Sequence, residues 1–166
     1  MIRFISISET LLPIKSERYY YLSITSHIEK LKQQGKKVKK KNQKNLIIYK
    51  IKNQVSIVGH SLGGALSAIS GALTSTSAVS ISGPGTSYIH KKIGFSQNRV
   101  SENVVSIIPS HDIVPLIDSH QNLIYSYPCH FKRPDLCHMP SLVFCKFASQ
   151  CQHEDFLITD CSFSSY

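Results

Sequence analysis

A short apolar segment that runs straight into a glycine-rich turn constrains the fold of this chain more than any other feature. Residues 55–58 are mostly β-branched and carry no charge, which is typical of a buried parallel strand. The turn Gly59-His60-Ser61-Leu62-Gly63 follows at once, and apolar residues then recur at helical spacing to about residue 73. The sequence therefore predicts a strand, a sharp turn and a helix, which is the repeating unit of a sheet covered by helices.

Strand and helix patterns alternate along the rest of the chain. Two further short uncharged segments, residues 78–82 and 104–108, each end in turn residues and predict two more buried strands. The other predicted elements are a helix at 18–34, strands at 46–51 and 125–129, and a helix at 140–150. The length of 166 residues suits one domain with a core. We predict a single α/β domain over residues 1–166, with a mostly parallel sheet flanked by helices.

The basic charge of the protein is concentrated in one tract. The formal net charge is +9, from 19 basic and 10 acidic residues, but ten of the basic residues lie between Lys30 and Lys52. The rest of the chain is close to neutral, and no aromatic side chain interrupts residues 36–44, so we predict no nucleic-acid partner. We expect residues 36–44 to form an exposed lysine-rich loop or insertion, with contact to an anionic membrane as the alternative.

The central serine of the glycine-rich turn is a candidate nucleophile. A G-x-S-x-G segment between a strand and a helix lifts the serine hydroxyl clear of the sheet, and its glycines remove Cβ atoms that would collide in so sharp a turn. The helix that begins after Ser61 places the positive end of its dipole near the hydroxyl. The backbone N–H of Leu62 is therefore a candidate donor to an oxyanion.

A serine nucleophile needs a base, and the base needs an orienting carboxylate. In this kind of sheet the acid and then the histidine follow the serine along the chain. Asp112 lies just beyond the predicted strand at 104–108, where functional loops cluster, although an aspartate there equally suits a turn. His138 lies between the last predicted strand and the last helix and is the first candidate for the base. His130 is the second, and an ordinary surface or packed histidine is the alternative for both.

Four segments of the sequence resemble those of one known family. Residues 55–66 look like the nucleophile elbow of the class 3 (fungal-type) lipases, and Ile81-Ser82-Gly83-Pro84-Gly85 resembles the segment that follows it in protist members. Residues 108–115 are similar to the loop that carries the acid of the catalytic triad. Cys137-His138 looks like the cysteine-bearing element in which the histidine opens the last helix. The resemblance extends over residues 46–151.

The resemblance implies a fold, an activity and a set of roles. The fold is that of the α/β hydrolases, and the activity is hydrolysis of carboxylic esters, commonly acylglycerols. Ser61 would attack the ester carbonyl while His138 takes its proton and Asp112 holds the imidazole. The family needs no metal or organic cofactor. The implied partners are a lipid or other ester substrate and, transiently, a membrane or lipid-droplet surface.

The chain departs from the family pattern before the elbow. The family has an Arg-Gly-Thr-like turn there, which supplies the second oxyanion donor, and a lid after it; neither is recognisable in this sequence. We therefore expect an N-terminally truncated member, that is, a partial α/β-hydrolase fold. Losing one oxyanion donor costs on the order of 10² to 10³ in kcat. A second hypothesis follows, a non-catalytic lipase-like protein that binds a lipid surface or a partner.

The cysteines and the first residues of the chain give conflicting indications of the cellular compartment. All five lie within residues 129–161, a clustering expected of a disulfide-stapled C-terminal region in a secreted or lumenal protein. The first residues, however, do not predict a signal peptide. Either the original N-terminus is missing or the cysteines are free thiols in a reducing compartment. Their spacing lacks the paired CxxC pattern of a zinc site, so we predict no bound metal.

Overall fold

The computed structural model describes residues 14–33, 42–43, 46–51, 54–131 and 133–151. Within these ranges the chain forms one six-stranded sheet in which spatial order follows chain order, β1 to β6. Most of the predicted lysine-rich loop at 36–44 lies outside the described residues, and its described part belongs to the short edge strand β1. Residues 152–166, which include Cys161, also lie outside them.

The helices and strands have the following bounds. The strands are β1 (Asn42–Gln43), β2 (Leu46–Ile51), β3 (Gln54–His60), β4 (Ser77–Ile81), β5 (Val104–Pro109) and β6 (Leu123–Tyr127). The helices are α1 (Ile14–Gln33), α2 (Leu62–Thr74), α3 (Ile89–Ile93), α4 (Gln97–Asn103), α5 (Pro134–Cys137) and α6 (Pro140–Cys151), with a 3₁₀ turn at Val114–Ile117.

The sheet has a parallel part and an antiparallel margin. Strands β3 to β6 pair in parallel, whereas β1 and β2 run antiparallel, with β2 joined to β3 as a hairpin. The parallel strands advance in one direction across the sheet. Because such crossovers are right-handed, the helices that connect them lie on the same face. Helix α2 accordingly packs against both α1 and α4.

The main core lies between these three helices and the sheet. Alternate residues of the strands face it, as the period of two in a strand requires. The buried apolar residues of the cluster are Ile24, Ile28, Leu31, Val55, Ile57, Ala68, Ile69, Ala72, Ala78, Phe95, Val100 and Val104. Small residues let α2 approach the strands closely; a Cβ at Gly71 would lie 2.6 Å from the Cβ of Ala78. The small residues of α2 therefore determine how closely this helix packs on the sheet.

Helix α6 covers part of the opposite face of the sheet. Tyr125 of β6 pairs with Ile107, which is an odd number of residues from the core-facing Val104 and therefore lies on the other face. The ring of Phe147 in α6 lies 6.1 Å from that of Tyr125 and 5.8 Å from that of Tyr127. Helices therefore flank both faces of a mostly parallel sheet, as predicted from the sequence.

Two details differ from the sequence-based expectations. The last strand ends at Tyr127 rather than at residue 129, because Pro128 cannot donate to a strand ladder and Cys129 is held in a disulfide. The short helices α3 and α4 between β4 and β5 were not predicted, since neither is long enough to show a full amphipathic period. No helix among the described residues is both long and apolar enough to cross a bilayer.

The docking of α1 on the core can be tested with two substitutions in that helix. Ile28 is fully buried, so Ile28→Ala should lower the free energy of unfolding by about 2 to 5 kcal/mol. Leu22 lies on the same helix and is half exposed, so Leu22→Ala should change it by less than about 1 kcal/mol. Urea denaturation of both variants measures the difference, and equal losses would contradict the docking of this helix face.

Candidate active site

The glycine-rich turn holds Ser61 in a strained backbone conformation. Ser61 has φ 58° and ψ −123°, a region that residues with a Cβ rarely adopt. Its N–H donates to the carbonyl of Ile81 in β4 at 2.9 Å, and its own carbonyl accepts from the N–H groups of Gly64 and Ala65 at 2.9 and 3.2 Å. The neighbouring strand and the first turn of α2 thus fix the serine from both sides.

The sharp turn between β3 and α2 requires a glycine at position 59. A Cβ at Gly59 would lie 1.9 Å from the carbonyl oxygen of Gly63, closer than real atoms ever approach. Strand β3 and helix α2 can therefore meet at so acute an angle only when residue 59 has no side chain. This is the steric requirement expected of the G-x-S-x-G pattern.

The structure brings the three predicted catalytic residues into one hydrogen-bonded chain. His138 Nε2 lies 2.9 Å from Ser61 Oγ, and His138 Nδ1 lies 3.1 and 3.0 Å from the two carboxylate oxygens of Asp112. A carboxylate accepts the proton on Nδ1, which leaves Nε2 free to accept from the serine hydroxyl. The arrangement can remove a proton from Ser61 and hold the resulting imidazolium beside a negative charge.

Asp112 is both a turn residue and the partner of the histidine. Its side chain is fully buried, and Oδ1 also accepts from the N–H of Val114 at 3.0 Å. Buried charge is tolerated only with hydrogen-bond donors or an opposite charge nearby, and Asp112 has such donors on two sides. The negative charge of Asp112 also reaches Tyr127: burial, and after it this charge, raises the pKa of Tyr127 to about 12. Asp112 can therefore stabilise a turn and orient the histidine at the same time.

A disulfide and hydrogen bonds together connect the histidine to the loop that carries the acid. Cys129 and Cys137 are bonded, and Cys137 immediately precedes His138. Cys129 N–H donates to Ser110 Oγ at 2.7 Å, and the Cys129 carbonyl accepts from the ring of His111 at 2.8 Å. His111 has φ 68°, so this loop is also strained. Cys129, Cys137 and Cys145 are thus disulfide-bonded rather than free.

The other candidates occupy different places. His130 is exposed, and it is His138 that lies beside Ser61. Leu62 begins α2 with its side chain 67% exposed, and the first N–H groups of a helix have no partner within it, so its N–H can act as an oxyanion donor. In the family the second oxyanion donor comes from a turn before the elbow, which is not recognisable in this sequence; residues 1–13 lie outside the described residues.

The sequence reasoning missed His60. Its Nε2 lies 2.8 Å from the backbone carbonyl oxygen of His138, and the two imidazole rings are 4.8 Å apart. Burial lowers the pKa of His60, as does the charge that His138 carries when protonated. The only available signal was its place in the turn, because its partner lies 78 residues further along the chain.

A second histidine, His120, supports the loop that carries Asp112. His120 Nε2 lies 3.2 Å from the carbonyl oxygen of Pro115, and Nδ1 lies 3.2 Å from Ser106 Oγ. A carbonyl only accepts, so Nε2 carries the proton and Nδ1 accepts from the hydroxyl. Burial is the main cause that lowers the pKa of His120. The neutral ring therefore links the 3₁₀ turn to β5.

Comparison with models of protein families gives a match. The family model described as Lipase (class 3) matches residues 5–121. The matched range contains Ser61 and Asp112 and ends before His138, so the assignment of the histidine depends on the geometry described above. A search of curated proteins found no significant match.

The half-buried His120 predicts a loss of stability in mild acid. Its pKa is lower in the folded state than the unfolded value of about 6.5, so the unfolded chain binds the proton more readily. The free energy of unfolding should therefore fall as the pH drops below about 6.5. In His120→Gln this fall between pH 7.5 and pH 5 should be smaller. Urea titrations at the two pH values measure it, and equal falls in both proteins would contradict the prediction.

Proposed function

The chain belongs to the class 3 lipase family, and from this we propose that it hydrolyses lipid-like carboxylic esters with Ser61, His138 and Asp112 as a catalytic triad. Family membership makes it a lipase-like hydrolase. The observation that carries the finer assignment is the continuous hydrogen-bonded chain from Ser61 Oγ through His138 to the buried carboxylate of Asp112. Geometry of this kind activates a hydroxyl that is otherwise a poor nucleophile.

The proposed reaction has two halves. Ser61 Oγ attacks the ester carbonyl while His138 Nε2 takes its proton, and the tetrahedral oxyanion accepts from the N–H of Leu62. His138 then gives the proton to the leaving alkoxide, which departs as the alcohol and leaves an acyl group on Ser61. Water, deprotonated by His138, attacks the acyl group; the acid is released and Ser61 regains its proton. Asp112 stabilises the imidazolium in both halves.

The surface next to these residues suits an apolar acyl group. Leu62, Ile113 and Met139 each follow one of the three residues in sequence, and all three side chains are exposed. Leu116, in the 3₁₀ turn after Asp112, is 78% exposed. Exposed apolar side chains so near an active site in sequence favour a surface that binds apolar groups. They support a lipid ester as the substrate and transient contact with a lipid surface as the setting. The reaction as proposed uses no metal or organic cofactor.

Loss of the serine hydroxyl should abolish ester hydrolysis. Ser61→Ala should lower kcat for p-nitrophenyl butyrate and p-nitrophenyl palmitate by about 10⁴- to 10⁶-fold, because the nucleophile is absent. Ser82→Ala is the matched control: like Ser61, Ser82 has positive φ at a strand end, but it is fully buried and takes no part in the proposed chain. It should keep the rate within about threefold.

Equal rates in the wild-type and Ser61→Ala proteins would overturn the proposal. A non-catalytic lipase-like protein would then be the better account. Binding of the chain to phosphatidylcholine vesicles, with no ester hydrolysis in any variant, would support that account.

Leu116 should contribute to the preference for acyl length. Leu116→Ser should lower kcat/KM for the palmitate ester by about tenfold, since burying a leucine contributes about 1.5 to 3 kcal/mol, and should affect the butyrate ester much less. Leu123→Ser is the control, because Leu123 is also an exposed leucine but begins β6 at the other end of the parallel strands. An equal effect on both esters would contradict a role for Leu116 in acyl binding.

A further inference from the structure

We infer that His60 is a positioning residue that holds the catalytic histidine against the nucleophile elbow, a role that rests on the proposed function. The observation is the 2.8 Å contact between His60 Nε2 and the backbone carbonyl oxygen of His138. His60 is the last residue of β3 and the residue before Ser61. One short segment thus supplies the nucleophile and a bond to the backbone of its base.

The base gains from such a bond because it lies outside the sheet, and the disulfide of Cys137 holds the residue before it rather than its own carbonyl. His138 lies between α5, which has four residues, and α6. Its N–H bonds locally to the carbonyl of Asp135 at 3.2 Å. Asp112 orients the ring of His138 but does not fix its backbone. With His60 on the carbonyl and Asp112 on the ring, the position of Nε2 is determined from both ends of the residue.

His60 is anchored well enough to serve this purpose. It pairs with Ile81 of the central strand β4, and its neighbour Gly59 pairs with Leu46 of β2. This pairing on both sides fixes the end of β3 within the sheet. The contact joins the sheet to the member of the proposed triad that lies farthest along the chain from a strand end. A misplacement of about 1 Å in such a group can cost about 100-fold in rate.

The donor must also be neutral. A carbonyl oxygen only accepts, so His60 Nε2 carries the proton and donates. Its ring is 4.8 Å from that of His138, which becomes positively charged during the reaction. Burial keeps His60 uncharged by lowering its pKa. A lysine or arginine here would repel the imidazolium, whereas a glutamine would supply an N–H at a similar reach without charge.

This reasoning is tested by comparing three substitutions at His60. His60→Phe keeps a ring but removes the donor, and His60→Asn has an amide too short to reach the carbonyl. Both should lower kcat for p-nitrophenyl butyrate by about 10- to 100-fold with KM changed by less than about threefold, because only the placement of the base is altered. His60→Gln should restore kcat to within about fivefold of the wild type. Titration of active sites with a fluorophosphonate puts each kcat on a per-site basis.

A matched control separates this effect from a general cost of replacing a half-buried histidine. His90 bonds to the carbonyl of Ser87 at 2.7 Å and packs on Phe95, outside the proposed triad. His90→Phe should leave kcat per active site within about threefold. A loss in His60→Gln as large as that in His60→Phe would show that the ring itself matters, and it would overturn the inference.

A second measurement needs no turnover. The Nδ1 proton of His138 shared with Asp112 should give a downfield proton NMR signal in the wild type and in His60→Gln, and that signal should broaden or vanish in His60→Phe and His60→Asn. An unchanged signal in all four proteins would overturn the inference even if the enzyme is active. If the wild type hydrolyses no ester, the proposed function fails while the NMR comparison still tests the positioning.

Discussion

The parallel pairing of β3, β4 and β5 is the constraint on which the rest of the structure depends. Parallel strands end at the same edge of a sheet, so whatever follows them along the chain is brought together there. Ser61 follows β3, and Asp112 follows β5 by three residues. Ser61 and Asp112 are 51 positions apart along the chain, yet the sheet brings them to the same edge. The bond from Ser61 N–H to the Ile81 carbonyl then ties the serine to the strand between them.

The histidine reaches the same edge by a different route. No strand ends at His138; it follows β6 by eleven residues, after a segment with little regular structure. The disulfide between Cys129 and Cys137 closes most of that segment into a loop. The hydrogen bonds of Ser110 and His111 to Cys129 hold this loop against the one that carries Asp112. The acid and the base are therefore placed relative to each other largely by side-chain and covalent links, whereas the acid and the serine are placed by the sheet.

This difference explains which residues of the site could be predicted from the sequence alone. The strained turn at Ser61 follows from a local pattern, since glycines, strand and helix all lie within about twenty residues. Asp112 could be proposed because it follows a recognisable strand. Position ranked His138 ahead of His130 but could not decide between them, because the contacts that decide are long-range. His60 was missed for the same reason: its partner is a backbone carbonyl, which leaves no trace in the residue types.

Backbone strain lies at both loops that meet at the site. Ser61 and His111 have positive φ, which costs on the order of 1 to 3 kcal/mol each and persists only where surrounding contacts overdetermine the conformation. At Ser61 those contacts are the strand β4 and the first turn of α2; at His111 they are the bonds to Cys129. Beside the elbow, α2 lies so close to the sheet that a Cβ at Gly64 would be 2.9 Å from Ser80 Oγ and 3.0 Å from the Cα of Gly83. Looser packing between α2 and the sheet would relax the serine and move its hydroxyl away from His138, so the close fit of that helix is a requirement of the proposed chemistry as well as of stability.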